Sequence, residues 1–511
     1  MTIPEPPVAG PHGQDSERIQ YTRMCRRILY GGHLSDVLDR LRLQIPDVRR
    51  EAWGHPDMGS NPFKAVWTAL STLYDRQPSV AIVEDGLVGP AGELASRAAG
   101  QGLWQLMARG QRDTQGLREL WMFPSVDPRP GVDGAYDPVY EPVYPDLVCA
   151  EDDPSRPGVP VVVWRARPRA VAGAVDPEWM WDEIDLRDPD APSYRVLRKV
   201  TTTTRQGGEA QSLVDVSSLY DVDGWPDVWR DATGRPIMPA VLYHAAQTPW
   251  IYDAYQSREL VEGTLNVAVL RTYVAHVARS AAWRQRYVID AELLGTSEVD
   301  ENGDGRGRSR VQADPATILQ FVRREGIEGA NPQAGTFDVP VLPEELWSYI
   351  EGYERKLISE AGVNPADQQA MGGDARSGYA LAVSRDAQRE AQRRCEPMFR
   401  RGDQELLRLT AIMLNRAEGR TGADAYPEFG YRVTYHGVPQ SAMERQALRE
   451  HLLALMQAGL MDPTTAYMEL HPGTTEAQAV DALLKIAKSR AELARYASAT
   501  TKEEVSNAGQ M

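Results

Sequence analysis

Lysine is nearly absent from this sequence. Of 511 residues only Lys64, Lys199, Lys356, Lys485, Lys488 and Lys502 are lysine, which leaves 50 of the 56 basic residues as arginine. No lysine follows a glycine. That excludes a Walker A loop, whose lysine must reach the phosphates from a glycine-lined turn. Cysteine is as scarce. Cys25, Cys149 and Cys395 are odd in number and widely spaced, so they make neither a disulfide framework nor a zinc knuckle and read as inert thiols. No two of the eight histidines are four residues apart, which excludes HExxH and any paired-imidazole metal site on one helix face. A GxSxG nucleophile elbow is missing too, since Ser377 in Ala375-Arg376-Ser377-Gly378-Tyr379 lacks the first glycine. No apolar run approaches the ~18 residues of a membrane-spanning helix. Met1–Pro7 has neither a basic nor an apolar stretch, so no secretory signal is expected there.

The chain is acidic, with 72 Asp and Glu against 56 Lys and Arg and a net charge of −16. Its composition, 42% hydrophobic with a mean hydropathy of −0.45, belongs to neither a membrane protein nor a wholly disordered chain. Its length exceeds the roughly 250–300 residues of a single core, so at least two regions are expected. An acidic chain is a poor nonspecific DNA binder, because counterion release requires clustered cations. One segment imitates a metal loop: Asp300-Glu301-Asn302-Gly303-Asp304-Gly305 opens like an EF-hand. Position twelve is Val311, where a bidentate glutamate belongs, and Arg306 and Arg308 would repel calcium. The segment reads as a Gly/Asp/Arg turn, and neither metal nor any other cofactor is expected.

Along the chain, residues 1–18 read as a flexible N-terminal arm. Helical patterns cover Tyr21–Leu43, the stretch after Asn61-Pro62, and Ala91–Leu106. From about Leu120 to Tyr243 short β-type runs take over. These include Val139-Tyr140, Asp146–Cys149, Val161–Ala166, Tyr194–Val200 and Ser212–Val216, and Pro160 should stop any longer strand. Trp164, Trp179, Trp181, Trp225 and Trp229 suit packing, or alternatively a stacking platform. Tyr255–Gln285 reads as one long helix with an apolar stripe at Leu260, Val261, Leu265, Val269, Tyr273, Val277 and Ala281. A turn-rich insert with a helical piece near Ala316–Arg324 follows. A second helix is opened by Pro343, Glu344 and Glu345 and carries Leu346, Ile350, Tyr353, Leu357 and Ile358. The polar loop Asn364–Arg376 contains Gly372 and Gly373. Beyond it a long helical stretch runs from Ser377 to about Glu418 with a kink at Pro397. Between Arg376 and Arg401, seven arginines face Asp386, Glu390 and Glu396, and Arg385, Arg389 and Arg393 stand in an i, i+4 row. This row reads as a solvated or subunit-bridging face, or as a DNA-facing one. A strand at Tyr426–Val438 and helices at Ala442–Leu460 and Glu476–Ala497 close the chain.

This ordering resembles the portal proteins of tailed double-stranded DNA bacteriophages. Four stretches carry the resemblance. They are Pro239–Ala245 leading to Gly263-Thr264-Leu265-Asn266, then Leu357–Pro365, then Ala375-Arg376-Ser377-Gly378-Tyr379-Ala380-Leu381, and finally the Gly459–Pro463 helix break. They span roughly residues 60–500. The fold class implied is α+β, mainly helical: a ring subunit with a wing (19–255, and 377–439 as a long kinked helix and strand), a stem of two helices (256–285 and 342–363), a clip (286–341), a channel loop (364–376) and a helical crown with a C-terminal tail (440–511).

The resemblance also implies a function without catalysis. A ring, usually a dodecamer, sits at one capsid vertex of the virion after assembly in the host cytoplasm and serves as the conduit for DNA packaging and DNA ejection. Its expected partners are further copies of itself, double-stranded DNA passing without sequence recognition, the major capsid protein, the terminase large subunit and the head–tail adaptor proteins; no membrane is involved. In the channel loop Asn364, Gln368, Gln369, Asp374 and Arg376 would face DNA. Arg385, Arg389 and Arg393 would face DNA or a neighbouring subunit. The alternative readings are another phage structural protein, such as a head–tail adaptor or scaffold, or a packaging enzyme. The missing Walker A lysine weighs against the enzyme.

Overall fold

The computed structural model of the chain describes residues 16–44, 55–82, 90–132, 134–170, 177–203, 209–220, 230–248, 251–252, 258–282, 286–289, 291–293, 321–323, 333–336, 344–363, 386–436, 442–471, 476 and 478–491. The fold is mixed α/β. It falls into two units, residues 1–365 with 391–435 and residues 366–390 with 436–511.

In the first unit, α1 (Ser16–Tyr30) and α2 (Leu34–Gln44) replace the single helix expected over 21–43. The break falls at Gly31, where φ is +79°, a backbone region that side chains disfavour. The arm expected over 1–18 is too long at its end. Arg18 lies inside α1 and is buried, donating to Glu119 at 2.7 Å and to the carbonyls of Pro145 at 3.2 Å and Val148 at 2.7 Å. A cation so withdrawn from water needs acceptors of this kind around its guanidinium. Next comes α3 (Pro62–Leu70), opened by Pro62 and by the Asn61 side chain, which accepts from Lys64 N at 2.9 Å, a capped start of the expected kind. Then follow β1 (Ser79–Ile82), α4 (Pro90–Gly100) and α5 (Leu103–Leu117).

Two antiparallel sheets follow. β2 (Glu119–Pro128) is flanked by β3 (Tyr136–Val143) and, from much later in the chain, by Val241–His244. β4 (Val148–Asp153), β5 (Arg156–Arg169), β6 (Glu178–Asp185), β7 (Ser193–Thr203) and β8 (Glu209–Asp215) form a five-stranded meander. Contrary to expectation, β5 runs straight through Pro160. The ladder with β4 shifts register between Glu151 and Asp153, and Pro160 sits opposite Asp152 within that irregularity, where a missing N–H costs no regular ladder bond. Trp164 and Trp181 are buried in this sheet, and Trp164 Nε1 donates to Glu183 at 2.7 Å. They pack and offer no stacking surface. Trp225 and Trp229 lie outside the described residues.

The strand Val241–His244 is β9. After it come α6 (Arg258–Ala282), β10 (Arg286–Ile289), β11 (Ala291–Leu293), β12 (Phe321–Arg323), β13 (Gln333–Thr336) and α7 (Glu344–Glu360). The helical piece expected at 316–324 is corrected over 321–323. Phe321, Val322 and Arg323 pair as a strand with β11, as an aromatic and β-branched run does when a partner strand is present. The EF-hand-like segment 300–311 lies outside the described residues. α8 (Asp386–Glu418) continues through Pro397, and β14 (Tyr431–Thr434) pairs antiparallel with β1. The strand expected over 426–438 is thus limited to four residues. In the second unit, α9 (Ala442–Gln457) ends before Gly459. A short α10 (Pro463–Leu470), not expected from the sequence, starts on Asp462, whose side chain accepts from Thr464 N at 2.8 Å and Thr465 N at 2.9 Å. Residues 476 and 478–491 are helical.

The first unit's largest core gathers on α8. Leu406, Leu407, Leu409, Ala411, Ile412, Met413 and Leu414 meet residues from α4, α5, β9 and β14. In the middle of this apolar cluster sits a carboxylate. Asp403 accepts from the hydroxyls of Tyr74 at 2.8 Å, Tyr243 at 2.9 Å and Tyr435 at 2.6 Å. The Tyr243 ring lies so close to the α8 backbone that a Cβ on Gly402 would collide with it. Burial pushes the Asp403 carboxyl up to about 7, against the three hydroxyl donors, which pull it down. His244 moves the other way, to about 4, by burial and by the nearby Arg401 and Arg118.

A carboxyl raised in the folded state binds its proton more tightly than the unfolded chain does. Its contribution is complete below about pH 4 and is lost as pH rises towards 7. His244 acts with the opposite sign over an overlapping range, so the Asp403 share must be read as a difference. The stability of the wild type minus that of Asp403→Asn should fall between about pH 4 and 7 and level off above. Thermal melts of both proteins across this range check it, and a difference that rises with pH contradicts it.

Candidate functional site

Among the described residues no group of three or more His, Cys, Asp or Glu side chains is placed to hold a metal ion, and no described helix is long and apolar enough to cross a membrane. The features that carry functional weight are a helix pair, its insert and the arginine-bearing α8.

The helix expected over 255–285 is α6, and its partner expected over 342–363 is α7. At 25 residues, α6 is about 37 Å long. The two run antiparallel. Gly263 faces Leu357, while Arg271, two turns further along α6, donates from Nε to Glu354 at 2.6 Å and stacks over the Trp347 ring at 5.1 Å. Two threonines fasten α6 to the helical layer beside it. Thr264 Oγ1 donates to Leu260 O at 2.8 Å and accepts from Phe63 N at 3.1 Å. Thr272 Oγ1 donates to Ala268 O at 2.6 Å and accepts from Asp57 N at 3.0 Å. Both threonines are fully buried, and each satisfies a backbone donor from a segment packed against α6.

Burial changes along the pair. The first half of α6 is covered on most sides, with Leu260, Val261, Leu265, Val267, Ala268 and Val269 in one cluster with α2, α3 and the end of α7. Towards the insert the cover thins. At the start of α7, Leu346 is 37%, Trp347 38% and Tyr349 61% exposed. The chain between the helices returns on itself. β10 pairs antiparallel with β13, and β11 with β12, so the described parts of the insert form two ladders that bring its two ends together.

Asn364, Gln368, Gln369, Asp374, Arg376 and Arg385, which the sequence reading placed on the channel loop and at the head of the arginine row, lie outside the described residues. Arg389 and Arg393 are one turn apart on α8, half-buried and exposed respectively, and each is engaged with a neighbouring group. α8 runs through Pro397, which leaves the carbonyl of Arg393 without its helical donor. Sequence reasoning missed a second set of arginines, on α1 and α5, whose two-tyrosine floor is assembled from residues more than a hundred positions apart.

At Gly263 an added Cβ would stand 2.5 Å and 2.7 Å from the two methyls of Leu357. Gly263→Ala should therefore lower the melting temperature, the overpacking cost of about 1–3 kcal/mol outweighing the better helix propensity of about 1 kcal/mol. Leu357→Ala should cost less in the Gly263→Ala background than in the wild type. A double-mutant cycle of melts checks this, and strict additivity contradicts the close approach.

Compared with known families and with curated proteins, the chain matches none of them.

Proposed function

We propose that the chain is a subunit of a phage portal, a closed ring at one capsid vertex through which double-stranded DNA passes during packaging and ejection. One observation carries the reading. An antiparallel helix pair flanks a β-paired insert, and Leu346, Trp347 and Tyr349 at its insert-facing end have no full cover within the described residues. Side-by-side copies of such a pair would bury what one copy leaves open, by heterologous contacts that close into a ring. In this reading α6 and α7 are the stem, the insert is the clip, and the loop at 364–376 faces the channel.

The charge supports the same reading. A conduit that held DNA tightly would stall, and a chain of net −16 disfavours tight, sequence-blind adhesion. The ring takes its packaging energy from a separate terminase motor, because this chain lacks a lysine after glycine for a phosphate-binding loop. An adaptor or scaffold is the second reading. The 33-residue α8 and the stem-like pair favour the portal over it.

Twelve copies of a 56.7 kDa chain weigh about 680 kDa. Native mass spectrometry of the purified protein at micromolar concentration should find a species near that mass. Monomer or dimer alone overturns the proposal.

A further inference from the structure

Arg26, Arg109 and Arg112 lie against a pair of tyrosines at α1 and α5, with Arg23 joined to them through Asp146. Tyr30 and Tyr144 meet edge to face with centroids 6.3 Å apart and hydroxyls 3.1 Å apart. The Arg26 guanidinium lies 4.9 Å from the centre of the Tyr144 ring, while Arg109 and Arg112 lie 5.5 Å and 5.3 Å from that of Tyr30. Two buried carboxylates hold the group from beneath. Asp113 accepts the Tyr30 hydroxyl at 2.8 Å and 2.7 Å, and Asp146 faces Arg26 at 2.8 Å and Arg23 at 3.5 Å. Arginines outnumber carboxylates in this cluster, on a chain that is otherwise strongly acidic.

The Arg109 guanidinium is positioned but not filled. Arg109 spends Nε and Nη2 on the tyrosine hydroxyls at 3.3 Å, and its side chain is still 60% exposed. Among the described residues no hydrogen bond occupies its Nη1. Arg112 reaches Tyr30 and Asp113 only through Nη2, at 3.4 Å each, and its buried Nε has no partner. A guanidinium fixed on an aromatic ring with an open Nη1 suits a charge-assisted hydrogen bond to a carboxylate.

We propose that this tyrosine-floored arginine cluster is a docking surface for an acidic segment of a second copy of this chain. Charge complementarity selects that occupant. With 72 acidic residues against 56 basic ones, another copy carries a net charge of −16. So compact a cluster matches carboxylates of a protein segment but not duplex DNA, which brings one phosphate per ~1.7 Å of axis and needs a longer row of cations. The inference rests on the ring reading only in that both require self-association.

The test compares wild type, Arg109→Glu and Arg109→Lys. Arg109 is the most exposed of the four, so its reversal leaves the buried carboxylates with Arg23, Arg26 and Arg112; equal melting temperatures of the unassembled chains verify that. Mass photometry over a dilution series should show Arg109→Glu needing an at least roughly tenfold higher concentration to assemble, with Arg109→Lys in between and added NaCl weakening the wild type. Assembly of Arg109→Glu identical to wild type overturns the docking surface while leaving the ring proposal intact. A wild type that never assembles overturns both. If instead Arg109→Glu assembles normally but loses affinity for a 30-base-pair duplex, measured by fluorescence anisotropy, the cluster serves DNA and the inference is wrong.

Discussion

The first unit is organised around a carboxyl group buried away from solvent. Asp403 sits in the middle of α8 and accepts three tyrosine hydroxyls that arrive from sequence positions 74, 243 and 435. Desolvation resists its ionisation, and the hydroxyl donors oppose that resistance. The geometry constrains everything nearby. Tyr243 reaches the carboxylate only because residue 402 has no Cβ. Tyr74 then packs edge-on against Phe399 and Tyr435, and Tyr243 also lies on Phe399. Removing the carboxylate would strand three buried hydroxyls, each worth about 1–3 kcal/mol when left unpaired. The post-helical segment at Tyr74, the strand β9 and the chain after β14 are thereby tied to one turn of one helix.

A second set of buried ions ties the helices to the sheets. Arg18 on α1 reaches Glu119 on β2, and Arg97 on α4 pairs with Glu418 at the end of α8 at 2.8 Å and with the Tyr426 hydroxyl at 2.6 Å. Such pairs contribute less net stability than their contact distances suggest, because each ion has already given up its hydration. Their effect is to fix which surfaces meet. The chain has few lysines and uses arginine forks at these junctions, where planar, multidentate geometry suits the site.

Much of the helical layout was legible. The stripe Leu260, Val261, Leu265 and Val269 is buried as its spacing demands, and Asn61-Pro62 opens a helix as such pairs do. Strand limits were less legible. Pro160 argued for a stop that a bulge removed, and β6 breaks the apolar alternation of a strand with its own Asp182 and Glu183, which are buried and paired. Phe321–Arg323 adopts a strand only because a partner strand exists, which no local pattern announces. The Asp403 cluster was illegible for a simpler reason: its four members are scattered over more than 350 positions, and each alone reads as an ordinary core tyrosine or surface aspartate. Arg389 and Arg393 were legible as a row on a helix, but what a row faces is not written in its spacing.

The helix pair gives the functional account its physical content. A single chain covers the half of α6 that lies against α2 and α3 and leaves Trp347 and Tyr349 at the other end open to solvent. In the proposed reading, association buries that exposed apolar surface, and heterologous contacts between identical subunits close into a ring. Electron microscopy of the purified protein, averaged along the symmetry axis, is the most direct measurement. The account predicts a closed ring of identical subunits around a central opening. Isolated subunits, two-fold dimers or open filaments would contradict it.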